Sequence, residues 1–416
     1  MKNIITTLSI LTPLLFIGCG STSSSSEPSI KGGEEVVNFS ASQMKKMLID
    51  EGMITEERTV FGYKAYKIPY MTTDEQGLNV NASGLFVIPT GMPSVISNIG
   101  LSMVSDSHGT IFKNIEAPTV HGETYGTPNG VPILFSSLGA FATLQADYIG
   151  FGNSKDHYHP YMLKKSSANA TVDFIKQVKI FAKENNIKLN QQLFLTGYSE
   201  GAYVTMATLK KLEEENIDLN VNMAIPMANA TYSLTRMSNI MLNKEKMVVP
   251  PAMIANIAYA HSIAYGEDVD SIINEPYASK LPTLFDGTHS VTEINAQLPT
   301  DTKGENGLFK TEAVTEYLTD DSHWYKMAMI ENSVDDWTPQ TTLKFIHCEG
   351  DEIAPFSESN ITFETMKERG AENIEMIPLE KRLGLSKKLG HMECAIPAYK
   401  MVTEIFAAQR KKTIGY

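Results

Sequence analysis

The chain has 416 residues, 42% hydrophobic and 20% charged, which is enough apolar material for a sizeable core and excludes a disordered or multi-span membrane chain. Its formal net charge of -13 argues against a nucleic-acid partner, because phosphate binding needs clustered Lys and Arg. The length suits one large domain with an insertion, or two domains.

In chain order, Lys2 first precedes a short apolar run from Ile4 to Ile17, too short for a comfortable membrane span. The run ends in Phe16-Ile17-Gly18-Cys19, which resembles the lipobox of bacterial lipoproteins, with Phe16 in place of the usual Leu. The resemblance implies a signal peptide over residues 1–18, cleavage before Cys19 and lipidation of its sulfur. The plainer reading is a secretory signal with an incidental Cys. Several acyl chains anchor firmly where one is marginal, so the expected location is exported and lipid-anchored to a bacterial membrane. Gly20, where an Asp would retain a lipoprotein at the inner membrane, favours the outer one. The polar stretch Ser21 to Pro28 cannot pack a core, and residues 19–40 read as a flexible tether.

Residues 41–416 read as an α/β domain. Residues 41–53 suggest an amphipathic helix with Met44, Met47 and Leu48 on one face. Residues 57–70 and 79–90, separated by a turn-rich break, suggest an antiparallel pair. Strand and helix signals then alternate. Strands are expected near 93–104, 141–147, 192–196, 221–227, 342–347 and 374–379. Helices are expected near 131–138, 167–187, 200–215, 358–369 and 395–410. Such alternation argues for a mostly parallel sheet flanked by helices. Residues of about 230–335, rich in Met, Asn, Tyr and Pro, break the rhythm and read as an inserted helical cap over the site, or as a peripheral decoration.

Gly197-Tyr198-Ser199-Glu200-Gly201 matches the nucleophile-elbow pattern G-x-S-x-G. The pattern alone is weak, but an apolar strand (Leu193 to Thr196) precedes it and an amphipathic helix (Ala202 to Glu215) follows, which is the context it requires. Flanking glycines let strand and helix approach closely, and the helix N-terminus offers N–H groups to a developing oxyanion. The order of such triads is Ser, acid, His. Asp351 follows an apolar strand, where sheet enzymes place catalytic groups. Asp320, Asp321, Asp335 and Asp336 lie in or near the cap and are expected to be solvated. His391 is the only His beyond Asp351. Ser199, Asp351 and His391 are therefore the candidate catalytic residues. The N–H of Glu200 and that of Gly109 or Thr110 are the candidate oxyanion donors, with His108 bracing their loop.

Together, His108-Gly109-Thr110, Asp147 to Gly152, His159-Pro160-Tyr161, the elbow, Gly350-Asp351 and Gly390-His391 resemble bacterial α/β-hydrolases related to the secretory lipases. The resemblance spans about 105 to 410 and implies the α/β-hydrolase fold and ester or lipid hydrolysis through an acyl-enzyme; Asp147 reads as structural, with lining of the pocket as the alternative. Two positions depart from the group. Glu200 stands where Gln is usual, a carboxylate expected to raise the His391 pKa or disfavour anionic substrates. Cys348 stands where Gly is common. If Asp351 and His391 touch, Cys348 and Cys394, each three residues from one of them, come within disulfide range; the alternative is two buried thiols. His157 and His159 lack further ligands for a zinc-type site, and no metal or cofactor is implied.

The expected function is a serine esterase or lipase acting on a small-molecule or lipid ester, with a Met- and Tyr-rich cap leaning towards apolar acyl or aryl groups. A serine peptidase of the same fold, or a surface-anchored binding protein on an inactive scaffold, are the alternatives, since fold alone does not prove activity.

Overall fold

The apolar runs in the middle of the sequence become the centre of a nine-stranded sheet in the computed structural model, which describes residues 30–415. The signal segment, Cys19 and the first half of the expected tether lie outside the described residues. The strands are β1 (Glu34–Phe39), β2 (Gly62–Thr73), β3 (Asn79–Thr90), β4 (Leu101–Ser107), β5 (Ala142–Ala146), β6 (Leu189–Tyr198), β7 (Val221–Met227), β8 (Leu343–His347) and β9 (Ile374–Pro378). Their order across the sheet is β1-β2-β3-β5-β4-β6-β7-β8-β9. The first three strands and the β3–β5 pair run antiparallel, and every pairing from β5 to β9 is parallel. Parallel strands are covered on both faces, which explains why β4 is buried along its whole length.

Helices among and around these strands include α1 (Ala41–Asp50), α2 (Ser94–Ile99), α3 (Lys164–Glu184), α4 (Glu200–Glu214), α5 (Leu234–Leu242), α6 (Pro251–Tyr265), α7 (Phe356–Glu368), α8 (Leu379–Leu383) and α9 (His391–Ile414). Alternation along β6 assigns the layers. Leu193 and Leu195 share a core with α3 and α4, whereas Phe194 belongs to a second core with Val402 and Phe406 of α9. Helices α4 and α9 thus cover opposite faces of the same strands.

Two expectations are corrected. The run expected as a strand over 93–104 is divided: Pro93 caps α2, Gly100 ends it at φ 96°, and only then does β4 begin. The β-branched residues of α2 suggested a strand, yet Val95 is 57% exposed and contributes nothing to the sheet. Likewise the expected tether reaches into a strand, because Glu34–Phe39 pairs with β2 as the sheet's edge. Only Val37 of β1 is fully buried, too weak a pattern to stand out after a polar stretch.

Between β7 and β8 the chain forms α5, α6 and shorter helices up to Glu331. This is the expected cap, and it sits over the site: Leu234, Met237 and Met241 from α5 and Met253, Ile254 and Ile257 from α6 wall the same cavity as Ser199. Arg236 straps α5 to the domain below, its Nε donating to Glu358 Oε2 of α7 at 2.6 Å and its Nη1 to Asp335 Oδ2 at 3.2 Å. Among the described residues, no helix is long and apolar enough to cross a membrane.

Candidate active site

Ser199 follows β6 directly and stands at the N-cap of α4 with φ 57° and ψ −121°, a conformation that L-residues avoid and that turns the side chain out of the strand-to-helix bend. The turn demands glycine on both sides. A Cβ at Gly197 would meet the Gly201 and Ser107 carbonyls, and one at Gly201 would meet the Ser107 carbonyl. The backbone is tied down by hydrogen bonds from Ser199 N–H to the Met227 carbonyl (3.0 Å) and from Asn229 Nδ2 to the Ser199 carbonyl (2.6 Å).

His391 Nε2 lies 3.1 Å from Ser199 Oγ, and His391 Nδ1 lies 2.7 Å from Asp351 Oδ2. Strands β6 and β8 and the segment after β9 deliver the three side chains to the carboxyl edge of the sheet, where α/β proteins place ligands. His391 is the first residue of α9, not part of a loop ahead of a helix near 395, so the last helix starts earlier than expected. Asp351 is nearly buried and its Oδ1 accepts from the Ile353 and Ala354 amides at 3.0 and 2.7 Å. Burial opposes its charge, but hydrogen bonding to His347 and His391, the attraction of His391 and the Ala354 amide together bring its pKa down to about 2.

The competing acids are engaged elsewhere. Asp335 is buried rather than solvated and is paired with Arg236, and Asp336 is paired with Lys210. Asp320 and Asp321 are exposed.

Gly109 follows β4 and lies against the elbow: a Cβ on it would stand 3.2 Å from the Tyr198 carbonyl oxygen and 3.8 Å from Ser199 Cβ. Glu200 opens α4, where N–H groups lack intrahelical acceptors. Thr110 contacts Tyr161, its Oγ1 lying 2.9 Å from the phenol oxygen. His108 stacks on Tyr148 with ring centroids 4.0 Å apart, and its Nδ1 is 2.8 Å from the Gly109 carbonyl oxygen. Asp147 is fully buried, accepting from Ser83 and Thr119, and burial pushes its pKa up to about 6. Cys348 and Cys394 form a disulfide with Cα atoms 6.0 Å apart.

Several participants went unseen in the sequence. Glu380 of α8 accepts from the Glu349, Gly350 and Leu389 amides at 2.8, 3.2 and 3.1 Å, so one carboxylate gathers the loops of Asp351 and His391. His347 Nε2 is 2.7 Å from the Ala354 carbonyl oxygen and 3.3 Å from Asp351 Oδ2. Its Nδ1 faces Ser359, whose hydroxyl donates to the Asn229 carbonyl. Tyr198 donates to the His391 carbonyl at 2.5 Å. Glu200 pairs with His159, Oε1 to Nε2 at 3.1 Å. Such contacts join residues up to 193 positions apart and leave no periodic trace. The one local signal was the unusual carboxylate of Glu200 itself.

No family model matches the chain, and no curated protein matches it in sequence. Solved structures do. A Legionella pneumophila protein provisionally assigned as a hydrolase superposes with TM-score 0.76 at 21% identity, over 92% of this chain and 98% of that one. The rice cell wall degrading esterase LipA from Xanthomonas oryzae gives 0.73 at 17%, over 92% and 96%. Candida antarctica lipase A gives 0.58 at 15%, over 87% and 77%. The chain has the α/β-hydrolase fold. The likeness covers the cap as well as the sheet, since nearly the whole described chain is included. Among the described residues, no group of three or more His, Cys, Asp or Glu is arranged to hold a metal ion.

Proposed function

We propose that the protein is a serine hydrolase of carboxylic esters, with Ser199 as nucleophile, His391 as base and Asp351 as the acid that orients it. The observation that carries this reading is the continuous contact from Ser199 Oγ through His391 to Asp351, 3.1 and 2.7 Å, with Ser199 lining a largely apolar cavity. The esterase and lipase of the same fold lend it support.

In this mechanism Ser199 Oγ attacks the ester carbonyl while its proton passes to His391 Nε2. Negative charge collects on the carbonyl oxygen, where the N–H of Glu200 and that of Gly109 or Thr110 stabilise it. Collapse expels the alcohol, which takes the proton from His391 and leaves an acyl-Ser199 ester. Water, deprotonated by His391, then releases the acid and restores Ser199. Asp351 keeps His391 Nδ1 protonated throughout and offsets the imidazolium charge. The cap cavity holds the acyl group. Export and lipid attachment at Cys19 complete the proposal; incorporation of labelled palmitate, lost in Cys19→Ala, checks that part.

The deciding measurement is hydrolysis of p-nitrophenyl esters from acetate to palmitate by the wild type and by Ser199→Ala, beside labelling with a fluorophosphonate. Ester hydrolysis and labelling that both vanish in Ser199→Ala are expected. Equal rates in the two proteins would sink the esterase reading and turn attention to a peptidase or a binding protein.

A further inference from the structure

His347 ends β8 with its side chain fully buried, four residues before Asp351. Two histidines meet the Asp351 carboxylate at one oxygen. His391 Nδ1 stands 2.7 Å from Asp351 Oδ2, and His347 Nε2 stands 3.3 Å from the same atom. The other oxygen, Oδ1, is filled by the Ile353 and Ala354 amides. Burial works against the charge of Asp351, and hydrogen bonding to His347 is the foremost of the pulls that bring its pKa down to about 2.

The partners of the His347 ring fix how many hydrogens it carries. Nε2 lies 2.7 Å from the Ala354 carbonyl oxygen, which only accepts, so Nε2 bears a hydrogen. Nδ1 lies 2.7 Å from Ser359 Oγ. That hydroxyl has one hydrogen, and it is donated to the Asn229 carbonyl at 2.8 Å. Nδ1 must then supply the hydrogen of its own contact. Were the hydroxyl turned to Nδ1 instead, two oxygens with no hydrogen between them would face each other in the interior, which is costly. A ring with hydrogens on both nitrogens is an imidazolium.

The surroundings accommodate that charge. Among the described residues, Asp351 is the one ionic partner of His347. Pro378 of β9 stands opposite it in the sheet, and Phe356 of α7 packs beside it with ring centroids 5.8 Å apart. Glu358 of α7 is taken by Arg236. His391 is the remaining titratable group, held within about 6 Å by the shared oxygen, and like charges that close oppose each other.

The geometry points to His347 as a positioning residue: a buried imidazolium that braces Asp351 and keeps His391 a free base to lower pH than Asp351 alone would allow. The inference rests on the esterase reading above. Asp351 draws a proton onto His391, and a positive charge already seated on the same carboxylate oxygen offsets that pull. At this separation, with an effective dielectric of about 20, the offset is worth about one to two pH units.

Two measurements test it. The first is nitrogen-15 spectroscopy of the full chain labelled at the histidine rings. At pH 7, where an unperturbed imidazole is mostly neutral, one ring should carry hydrogens on both nitrogens, and its signals should vanish in His347→Gln. A wild type with no doubly protonated ring at pH 7 would overturn the inference, and this outcome needs no variant to fold. The second is kcat/KM for ethyl butyrate, followed by ethanol release from pH 4 to 8. The acid limb should lie about one to two pH units higher in His347→Gln, a shift that a merely structural ring would not produce. An unmoved limb in the folded variant would overturn the inference and leave the esterase reading intact. If the wild type cleaved no ester at any pH, both would fall.

Discussion

Cys348 and Cys394 are bonded to each other at the point where the loop after β8, which carries Asp351, and the helix opened by His391 come together. Each cysteine is fully buried, so the bridge belongs to the core under the Asp351–His391 contact rather than to the surface. Closing a loop whose ends are 46 residues apart is worth about 4 kcal/mol in the chain-entropy picture. The double variant Cys348→Ala/Cys394→Ala should lose up to that amount in urea unfolding. Its kcat should fall more than its KM changes, because the two loops would no longer be pinned. A stability loss with kcat intact would show that the bridge is a staple only.

Asp351 links stability to pH. Its carboxyl is held at about 2 against an ordinary 3.8, so the folded state gains from its ionisation. That contribution is present above the unfolded value and is lost as pH falls through the folded one, over about pH 5 to 2. The difference corresponds to about 2 kcal/mol. Urea midpoints at pH 5, 4 and 3 should therefore converge between wild type and Asp351→Asn as the solution becomes more acid. Asp106 and Asp147, which burial pushes up to about 7 and about 6, are common to both proteins and cancel in the comparison. Curves that stay parallel would contradict the assignment.

Glu380 offers a carboxylate to three amides, and the pull of those donors outweighs its burial to hold its pKa below the usual range. In Glu380→Gln one oxygen becomes an NH2 that faces N–H donors. A loss of about 1–3 kcal/mol in thermal or urea unfolding is expected. A drop in kcat at a temperature where the variant is fully folded distinguishes positioning of the catalytic loops from simple scaffolding; an unchanged kcat would leave only the latter.

Met241 of α5 lines the cavity under the cap. Met241→Trp should fill part of that space and lower kcat/KM for long p-nitrophenyl esters by about tenfold or more while sparing acetate, since overpacking and lost volume act only where the chain reaches. Equal loss on acetate and palmitate would mean that long acyl chains bind elsewhere.

The parts of this protein legible in the sequence were those built from contiguous or periodic residues. Strands β6 and β7 are marked by apolar stretches, Leu193 to Leu195 and Met223 to Met227, and the elbow stands out because strand, turn and helix are adjacent in the chain. Asp351 and His391 followed from chain order, and the structure brings them together. What stayed hidden depends on three-dimensional return. Glu380 looks like any helix-opening acid, His347 like a strand-end histidine, and His159 like part of a loop motif, until folding sets each against a partner. The edge strand β1 and the short helix α2 were missed for a different reason: each buries too few side chains to impress a pattern.

The strap from Arg236 has a consequence for how substrates are accommodated. With α5 held to Glu358, Asp335 and Thr362 by one guanidinium, that side of the roof is anchored and does not swing freely. On the proposed esterase reading, adaptation to acyl groups of differing girth falls to the unbranched thioether side chains of Met237, Met241 and Met253, which can change rotamer without moving the backbone. In such an enzyme, tolerance for substrates is a property of side-chain plasticity beneath a fixed roof, and it can be narrowed one methionine at a time.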